Sequence, residues 1–131
     1  MLDHITIPVR DLAKSRDFYS QALAPLGYKL LFQAPAETAG TTGACGFGIA
    51  PKPDYWIYGV GSSGRAVAGM HIAIKATRRS EVDAFYQAAI KAGGIDNGAP
   101  GLRPHYHANY YGAFVLDPDG YNIEAVCRAP E

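Results

Sequence analysis

An internal duplication constrains the fold of this sequence more than any other feature. When the 131-residue chain is shifted by 67 positions, nine residues of the first half fall on identical residues of the second half. They cluster at equivalent places under one unbroken offset, and they are His4, Ile5, Ile7, Phe18, Tyr19, Ala22, Gly27, Phe47 and Pro51. Self-similarity of this kind indicates a repeated structural unit. Two unrelated strand–helix units are the alternative, but a generic core needs neither the second histidine nor the repeated Phe-x-x-x-Pro pair.

Each half has the same order of predicted elements. The segments HITIPV and GMHIAIKA alternate in polarity and predict a strand at the start of each half. His4 and His71 hold equivalent positions in these strands. An amphipathic helix follows each strand, and in the second half apolar residues recur at i, i+3, i+4, i+7 and i+8 between Val82 and Ile90. The sequence therefore predicts an α+β fold made of two β-α-β-β-β modules.

The later strands are marked less evenly than the first. Further strands are predicted over residues 28–32, 45–50, 55–60, 110–116 and 121–127, and the turn Asp117-Pro118-Asp119-Gly120 joins the last two as a hairpin. The strand after the second helix is poorly marked near residues 94–97. Segments rich in Gly, Ala, Ser and Pro predict loops over residues 33–44, 59–69 and 95–109. We expect one domain over residues 1–131, with module 1 at about 1–62 and module 2 at about 68–131.

The charge balance argues against polyanionic partners. Twelve Lys and Arg offset twelve Asp and Glu, so the chain has no large field to attract nucleic acid or an acidic membrane. No apolar stretch approaches the ~18 residues of a membrane span, and MLDHITIPVRDL lacks a charged leader followed by an apolar run. Two cysteines suggest neither a disulfide framework nor a paired-cysteine zinc site. We expect a cytoplasmic protein with no nucleic-acid or membrane partner.

One carboxylate stands out from the other glutamates. Three glutamates have ordinary predicted places: a loop for Glu37, a first helical turn for Glu81 and the chain end for Glu131. By contrast, Glu124 lies in the middle of the apolar strand YNIEAVC. A charge there should face solvent or hold a ligand. If the modules pack about a pseudo-twofold axis, His4 and His71 approach this carboxylate from symmetric sides. A His-His-Glu set suits a borderline divalent ion (Zn, Ni, Mn or Fe), although each residue alone is more often an ordinary sheet residue.

Three segments carry a resemblance to a known family. HITIPVRDLAKSRDFY, GMHIAI and YYGAFVLDPDGYNIEAV resemble the glyoxalase / bleomycin-resistance / extradiol-dioxygenase superfamily, also called vicinal oxygen chelate proteins, over nearly the whole chain. The resemblance implies paired βαβββ modules that close a cup-shaped mixed sheet around a divalent ion. It implies His4, His71 and Glu124 as metal ligands. It also implies a homodimer, in which His4 of one chain lies opposite His71 and Glu124 of the other.

The sequence departs from the pattern of each named subfamily. Glyoxalase I members typically add a glutamate ligand on the fourth strand, which here reads DYWIYGV. Fosfomycin-resistance enzymes and extradiol dioxygenases carry a tyrosine ten residues before the glutamate, where this chain has Phe114. Bleomycin-binding members need no metal and hold a cationic drug in an acidic cleft, which the neutral charge does not support. The resemblance therefore leaves the subfamily open.

Candidate substrate contacts are concentrated in the segment RPHYHANYY, residues 103–111. Arg103 is a candidate anchor for a carboxylate or phosphate, and His105 and His107 are candidate acid–base groups. Tyr110 and Tyr111 should point in opposite directions, so that one faces the cavity. Further candidate lining residues are Trp56, Tyr58 and Phe47. The alternatives are an exposed aromatic loop without a catalytic role and aromatic side chains that belong to the core.

Two functions remain open at this point. The first is a divalent-metal-dependent enzyme, of lyase, isomerase or dioxygenase type, that acts on a small molecule with vicinal oxygens. The second is a metal-free protein that binds and sequesters a small molecule, with the two histidines and Glu124 as polar lining. The identity of the metal and the substrate does not follow from the residues.

Overall fold

A computed structural model describes residues 1–34 and 43–131 of the chain. The loop expected over residues 33–44 thus lies mostly outside the described residues. The described residues form the elements β1 (Ile5–Val9), α1 (Leu12–Ala22), β2 (Lys29–Ala34), β3 (Ala44–Gly48), β4 (Tyr55–Gly59), β5 (His71–Lys75), α2 (Arg79–Lys91), β6 (Ile95–Leu102), β7 (Tyr111–Leu116) and β8 (Asn122–Cys127). A 3-10 turn over Ala24–Leu26 follows α1. No helix among these elements is long and apolar enough to cross a membrane.

The two halves of the chain have the same strand topology. The strand order is β1-β4-β3-β2 in the first sheet and β5-β8-β7-β6 in the second. In each sheet the first strand pairs in parallel with the last, and the remaining pairs are antiparallel. The prediction of an α+β fold with two repeated βαβββ modules is therefore confirmed.

Strand register shows how far the duplication extends. Thr6 of β1 lies opposite Trp56 of β4, and Ala73 of β5 lies opposite Glu124 of β8. Because Thr6 and Ala73 are equivalent at the 67-residue offset, Trp56 occupies in the first sheet the position that Glu124 occupies in the second. The offset has grown to 68 residues by the last strand of each module. The two modules thus contribute an indole and a carboxylate at matching positions.

The helices cover only one face of each sheet. Helix α1 packs on β3 and β4, α2 packs on β6, β7 and β8, and the two helices contact each other. Alternate residues of the strands point into this shared core, among them the fully buried Phe47, Ile57, Val115 and Ile123. Burial of each such side chain stabilises the fold by about 1.5–3 kcal/mol. Within residues 1–34 and 43–131, no helix packs on the opposite face of either sheet, and the side chains there are available for a site.

The hairpin turn between β7 and β8 joins the modules. The buried Asp117 carboxylate accepts hydrogen bonds from its own turn, including the backbone N–H of Tyr121 at 2.9 Å, and from the hydroxyl of Tyr19 on α1. Asp119 accepts from the backbone N–H and the guanidinium of Arg10, both at 3.0 Å. The Tyr121 hydroxyl donates to the carbonyl of Pro8 at 2.5 Å. A turn in module 2 therefore anchors the β1–α1 connection of module 1.

The loop predicted over residues 95–109 is wrong for its first eight residues, which form β6 (Ile95–Leu102). Among the strands that the structure describes, β6 lies at the sheet edge and pairs with β7 alone, with register shifts on both sides of Gly98. Edge strands tolerate glycine and proline because one side of the strand needs no ladder hydrogen bonds. The sequence IDNGAPGL accordingly shows no alternation of polarity, and pairing with β7 makes it a strand.

We expect Tyr19→Phe to lower the free energy of unfolding by about 1–3 kcal/mol, because it leaves a buried Asp117 oxygen without its donor. Urea unfolding monitored by circular dichroism measures this loss. Tyr106→Phe is the matched control, since the Tyr106 side chain is exposed and its hydroxyl makes no hydrogen bond with the described residues. Equal stability losses in the two variants would contradict the assigned role of Tyr19.

Candidate functional site

A buried carboxylate faces a cavity on the second sheet. Glu124 in β8 is 1% exposed and lines a cavity of about 630 Å³ together with His71 of β5. The Nε2 atom of His71 lies 3.0 Å from Oε2 of Glu124. An ionised carboxylate only accepts hydrogen bonds, so Nε2 carries the proton in this arrangement. The parallel pairing of β5 with β8 brings the two side chains to the same face of the sheet.

Two asparagines hold the His71 ring from its other side. The Asn122 Nδ2 atom lies 2.6 Å from Nδ1 of His71, and Asn97 donates to Oδ1 of Asn122 at 3.1 Å. This order of donors is consistent with a proton on Nε2, because Nδ1 then accepts from the Asn122 amide. A histidine that ligates a metal usually donates the N–H of its second nitrogen, so coordination through Nε2 would require the Asn122 amide to present its oxygen to Nδ1 instead. The ring orientation of His71 therefore depends on Asn122.

Tyr110 satisfies the remaining oxygen of Glu124. Its hydroxyl donates to Oε1 of Glu124. Burial, and then the hydrogen bond to Glu124, raise the pKa of Tyr110 to about 12, so the phenol stays protonated at neutral pH. The next residue points the opposite way, since the Tyr111 hydroxyl donates to Asp83 of α2 at 2.7 Å. Of the two adjacent tyrosines, Tyr110 is the one that faces the cavity.

The donor atoms of His71 and Glu124 fit a borderline divalent ion. Two neighbouring ligands with bonds of about 2.1 Å place their donor atoms about 3.0–3.4 Å apart, and the observed separation is 3.0 Å. Imidazole nitrogen and carboxylate oxygen are also ligand types that such ions take. Among residues 1–34 and 43–131, however, no group of three or more His, Cys, Asp or Glu side chains is placed to hold an ion. One chain thus brings together two of the three predicted ligands.

His4 lies on the other module, in a separate cavity of about 380 Å³ that it shares with Trp56. Its Nδ1 atom is 2.7 Å from the Asp3 carboxylate, which Lys52 also contacts at 2.5 Å. The hydrogen bond from His4, and then that from Lys52, lower the pKa of Asp3. Because the Nδ1–H group of His4 donates a hydrogen bond to Asp3, the lone pair on Nε2 is available to a ligand.

The three residues singled out in the loop before β7 take different positions. His105 lines the 630 Å³ cavity, with its ring centroid 4.2 Å from that of Tyr106. His107 does not line it, and its Nδ1 accepts from the backbone N–H of Asn109 at 3.1 Å. Arg103 does not line the cavity; its guanidinium donates to the carbonyl of Ala99 at 2.8 Å and lies 5.5 Å from the ring centroid of Phe114. Of the three, only His105 lines the same cavity as Glu124.

The aromatic candidates of the first sheet divide between its two faces. Trp56 lines the cavity of His4 and packs on Phe32, whose side chain is half exposed. Tyr58 is half-buried on the same face of β4. Phe47 points into the core, where it is fully buried and packs on Tyr19. The structure thus brings Trp56 to a cavity and does not bring Phe47 to one.

Sequence reasoning missed several residues that line the Glu124 cavity. Tyr106, Phe114, Asn122 and Arg128 all face it. The signal was present for two of them, because alternation along YNIEAVCR places Asn122 and Arg128 on the same face as Glu124. No signal was available for Tyr106, which depends on the path of the loop before β7.

Comparisons with known proteins agree on the fold. Residues 1–125 match the family model described as Glyoxalase/Bleomycin resistance protein/Dioxygenase superfamily. A glyoxalase/bleomycin resistance protein from Albidiferax ferrireducens T118 is similar in structure, with a TM-score of 0.78 and 26% identity over 97% of this chain and 98% of that one. A glyoxylase/bleomycin resistance protein/dioxygenase domain from Frankia sp. EAN1pec has a TM-score of 0.76 at 18% identity, over 98% of both chains.

Glyoxalase I from Zea mays is similar in structure but longer. Its TM-score is 0.75 at 24% identity, and the likeness covers 97% of this chain and 46% of the maize chain. This chain therefore spans about half of the maize enzyme. A search of curated protein sequences finds no significant match.

The site geometry predicts opposite tautomers for the two histidines in the metal-free protein. We expect His4 to carry its proton on Nδ1, facing Asp3, and His71 to carry its proton on Nε2, facing Glu124. Long-range ¹H–¹⁵N correlation spectra at alkaline pH, where imidazoles are neutral, identify each tautomer. The Asn122→Ala variant should weaken the preference at His71 and leave that at His4 unchanged. The same tautomer at both histidines would contradict the assigned hydrogen bonds.

Proposed function

The chain belongs to the glyoxalase/bleomycin resistance protein/dioxygenase superfamily, and we propose that it is a divalent-metal-dependent enzyme acting on a small molecule with vicinal oxygens. The chemistry would be of lyase, isomerase or dioxygenase type. The observation that carries this proposal is the 3.0 Å contact between His71 and Glu124 at the floor of a cavity large enough for a small substrate. Zn, Ni, Mn and Fe all suit a site of imidazole and carboxylate donors.

We further propose that the active form is a homodimer in which modules of two chains face each other. One chain offers His71 and Glu124 on the uncovered face of its second sheet, and a second chain would offer His4 from the uncovered face of its first. The half-exposed Phe32 and the partly exposed Trp56 of that first face give an apolar surface for the contact. The maize enzyme, about twice as long as the segment it shares with this chain, has the length of two such units joined.

In such an enzyme, several residues of the cavity would have separate roles. A bound ion would polarise substrate oxygens and stabilise negative charge that develops on them. Tyr110 holds Glu124 in place through its hydroxyl, and Asn122 orients His71. His105, which lines the same cavity, is the candidate general acid–base group for a substrate proton. The rings of Tyr106 and Phe114 line the same cavity and add apolar surface to it.

A metal-free binding protein is the second candidate. It is favoured by one observation, namely that His71 and Glu124 satisfy each other by a direct hydrogen bond. In that case the cavity would hold a small molecule through hydrogen bonds and aromatic contacts alone, without catalysis. Metal content separates this candidate from the first.

We expect protein purified without added metal and without a histidine tag to contain near-stoichiometric Zn, Ni, Mn or Fe by mass spectrometry of the elements. His71→Ala and Glu124→Gln should each lose most of this metal, because each removes one ligand. EDTA should lower the melting temperature of the native protein, and the metal should restore it, since an ion that binds only the folded state stabilises it.

His107→Ala is the matched control for this measurement, because His107 lies outside the cavity and should leave the metal content unchanged. Native protein without metal, whose melting temperature does not respond to EDTA or to any of the four ions, would overturn the enzyme proposal and favour the binding protein.

A further inference from the structure

We propose that the substrate carries a carboxylate that Arg128 binds, at the end of the molecule remote from the oxygens facing His71 and Glu124. The inference deepens the proposed function and rests on it for the identity of the chelated end. Arg128 itself is recognised from the structure, as a basic side chain in the wall of the same cavity. The proposed contact with a carboxylate makes Arg128 a residue that determines which substrates bind.

Strand geometry directs Arg128 into the cavity. It follows Glu124 by four positions, just beyond the end of β8, so the alternation of the strand places both side chains on one face. Four residues of strand separate the two Cα atoms by about 13 Å. The Tyr110 ring lies between the two functional groups, because its hydroxyl donates to Glu124 and its face carries the guanidinium. A substrate that reaches both groups is therefore several bonds long, and the 630 Å³ cavity limits it to a small molecule.

The guanidinium is held in position by an aromatic ring. Its central carbon lies 5.1 Å from the centroid of Tyr110, and the Tyr110 hydroxyl donates to Glu124. Tyr106 packs edge-on against the same ring at 5.1 Å. This cation–π contact with Tyr110 uses no N–H hydrogen bond of the guanidinium, so its donors stay available. The donor set of Arg128 thus has a defined place relative to Glu124.

Arg128 has no anionic partner among the described residues. By contrast, Arg10, Arg16 and Arg78 each pair with a carboxylate. Arg103 donates to the carbonyls of its own segment instead. A guanidinium that faces a cavity with its N–H groups unused is a site for a bidentate oxyanion.

Charge favours a carboxylate over a phosphate. A phosphate monoester carries close to two negative charges at neutral pH, and the described wall of the cavity offers one guanidinium beside its imidazoles. A single planar guanidinium matches a single carboxylate in both charge and geometry. The rings of Tyr106, Tyr110 and Phe114 add apolar surface between the two ends. The expected substrate class is thus a small carboxylic acid with a pair of vicinal oxygens at its far end.

Two isosteric probes test this inference. 3,4-Dihydroxybenzoate has vicinal oxygens at one end and a carboxylate at the other, and 3,4-dihydroxybenzamide replaces the carboxylate with a neutral amide. Isothermal titration calorimetry on the zinc-loaded protein should show the acid binding at least about tenfold more tightly than the amide. Arg128→Gln should bring the two affinities together, whereas Arg128→Lys should keep part of the preference.

Arg103→Gln is the matched control, because it removes a guanidinium that lies outside the cavity, and its preference for the acid should equal that of the native protein. A preference that survives Arg128→Gln would overturn the inference, since the carboxylate would then be bound elsewhere, the ion included. Tighter binding of 3,4-dihydroxyphenylphosphonate than of the acid would overturn the choice of a carboxylate.

The same titrations on EDTA-treated protein distinguish this inference from the proposed function. If the ion site is wrong but Arg128 binds the carboxylate, chelation does not alter either affinity, and the preference for the acid remains sensitive to Arg128→Gln. If the ion site is right and the inference is wrong, EDTA weakens the binding of both probes, and Arg128→Gln does not change the ratio of the acid affinity to the amide affinity.

Discussion

The contact between His71 and Glu124 is the interaction on which the rest of the site depends. A carboxylate that is almost fully buried in a sheet is costly unless every oxygen has a partner. Here Tyr110 takes one oxygen and His71 takes the other. The ionised form of the carboxylate is thus held at the cavity floor, with an imidazole nitrogen already at the spacing of two ligands on one ion.

The duplicated fold explains why the site is divided. Each module puts its helix on one face of its sheet, and no helix of the described part of the chain covers the other face, so each module has one potential wall of a cavity. The two walls are chemically different, since Trp56 stands at the position of Glu124. Only the second module therefore offers a carboxylate at this strand position, although both offer a histidine. A complete set of three ligands requires the polar wall of one module to face the aromatic wall of another.

Much of this arrangement follows from the sequence, and the exceptions have physical reasons. The 67-residue repeat and the polar alternation predicted both modules, and the apolar surroundings of Glu124 singled it out. Strand β6 was poorly marked in the sequence, and its extent could not be predicted, because pairing with β7 rather than its own residues makes it a strand. In an extended chain His105 and His107 would share a side, but turns in this loop, with Tyr106 N–H bonded to the Arg103 carbonyl, direct them apart. Strand alternation places Arg128 on the face of Glu124, but the sequence does not indicate that its guanidinium lies beside the ring of Tyr110.

The central claim is that two chains build each ion site, and a mixed dimer tests it most directly. A His4→Ala chain and a His71→Ala chain, each with a different metal-neutral affinity tag, are co-expressed, and the dimer that carries both tags is isolated. If facing modules come from different chains, one site of this dimer keeps all three ligands, and it should bind one ion as tightly as the native protein does, while neither homodimer does so. A mixed dimer that binds no ion tightly, or the failure of the two chains to associate, would contradict the account.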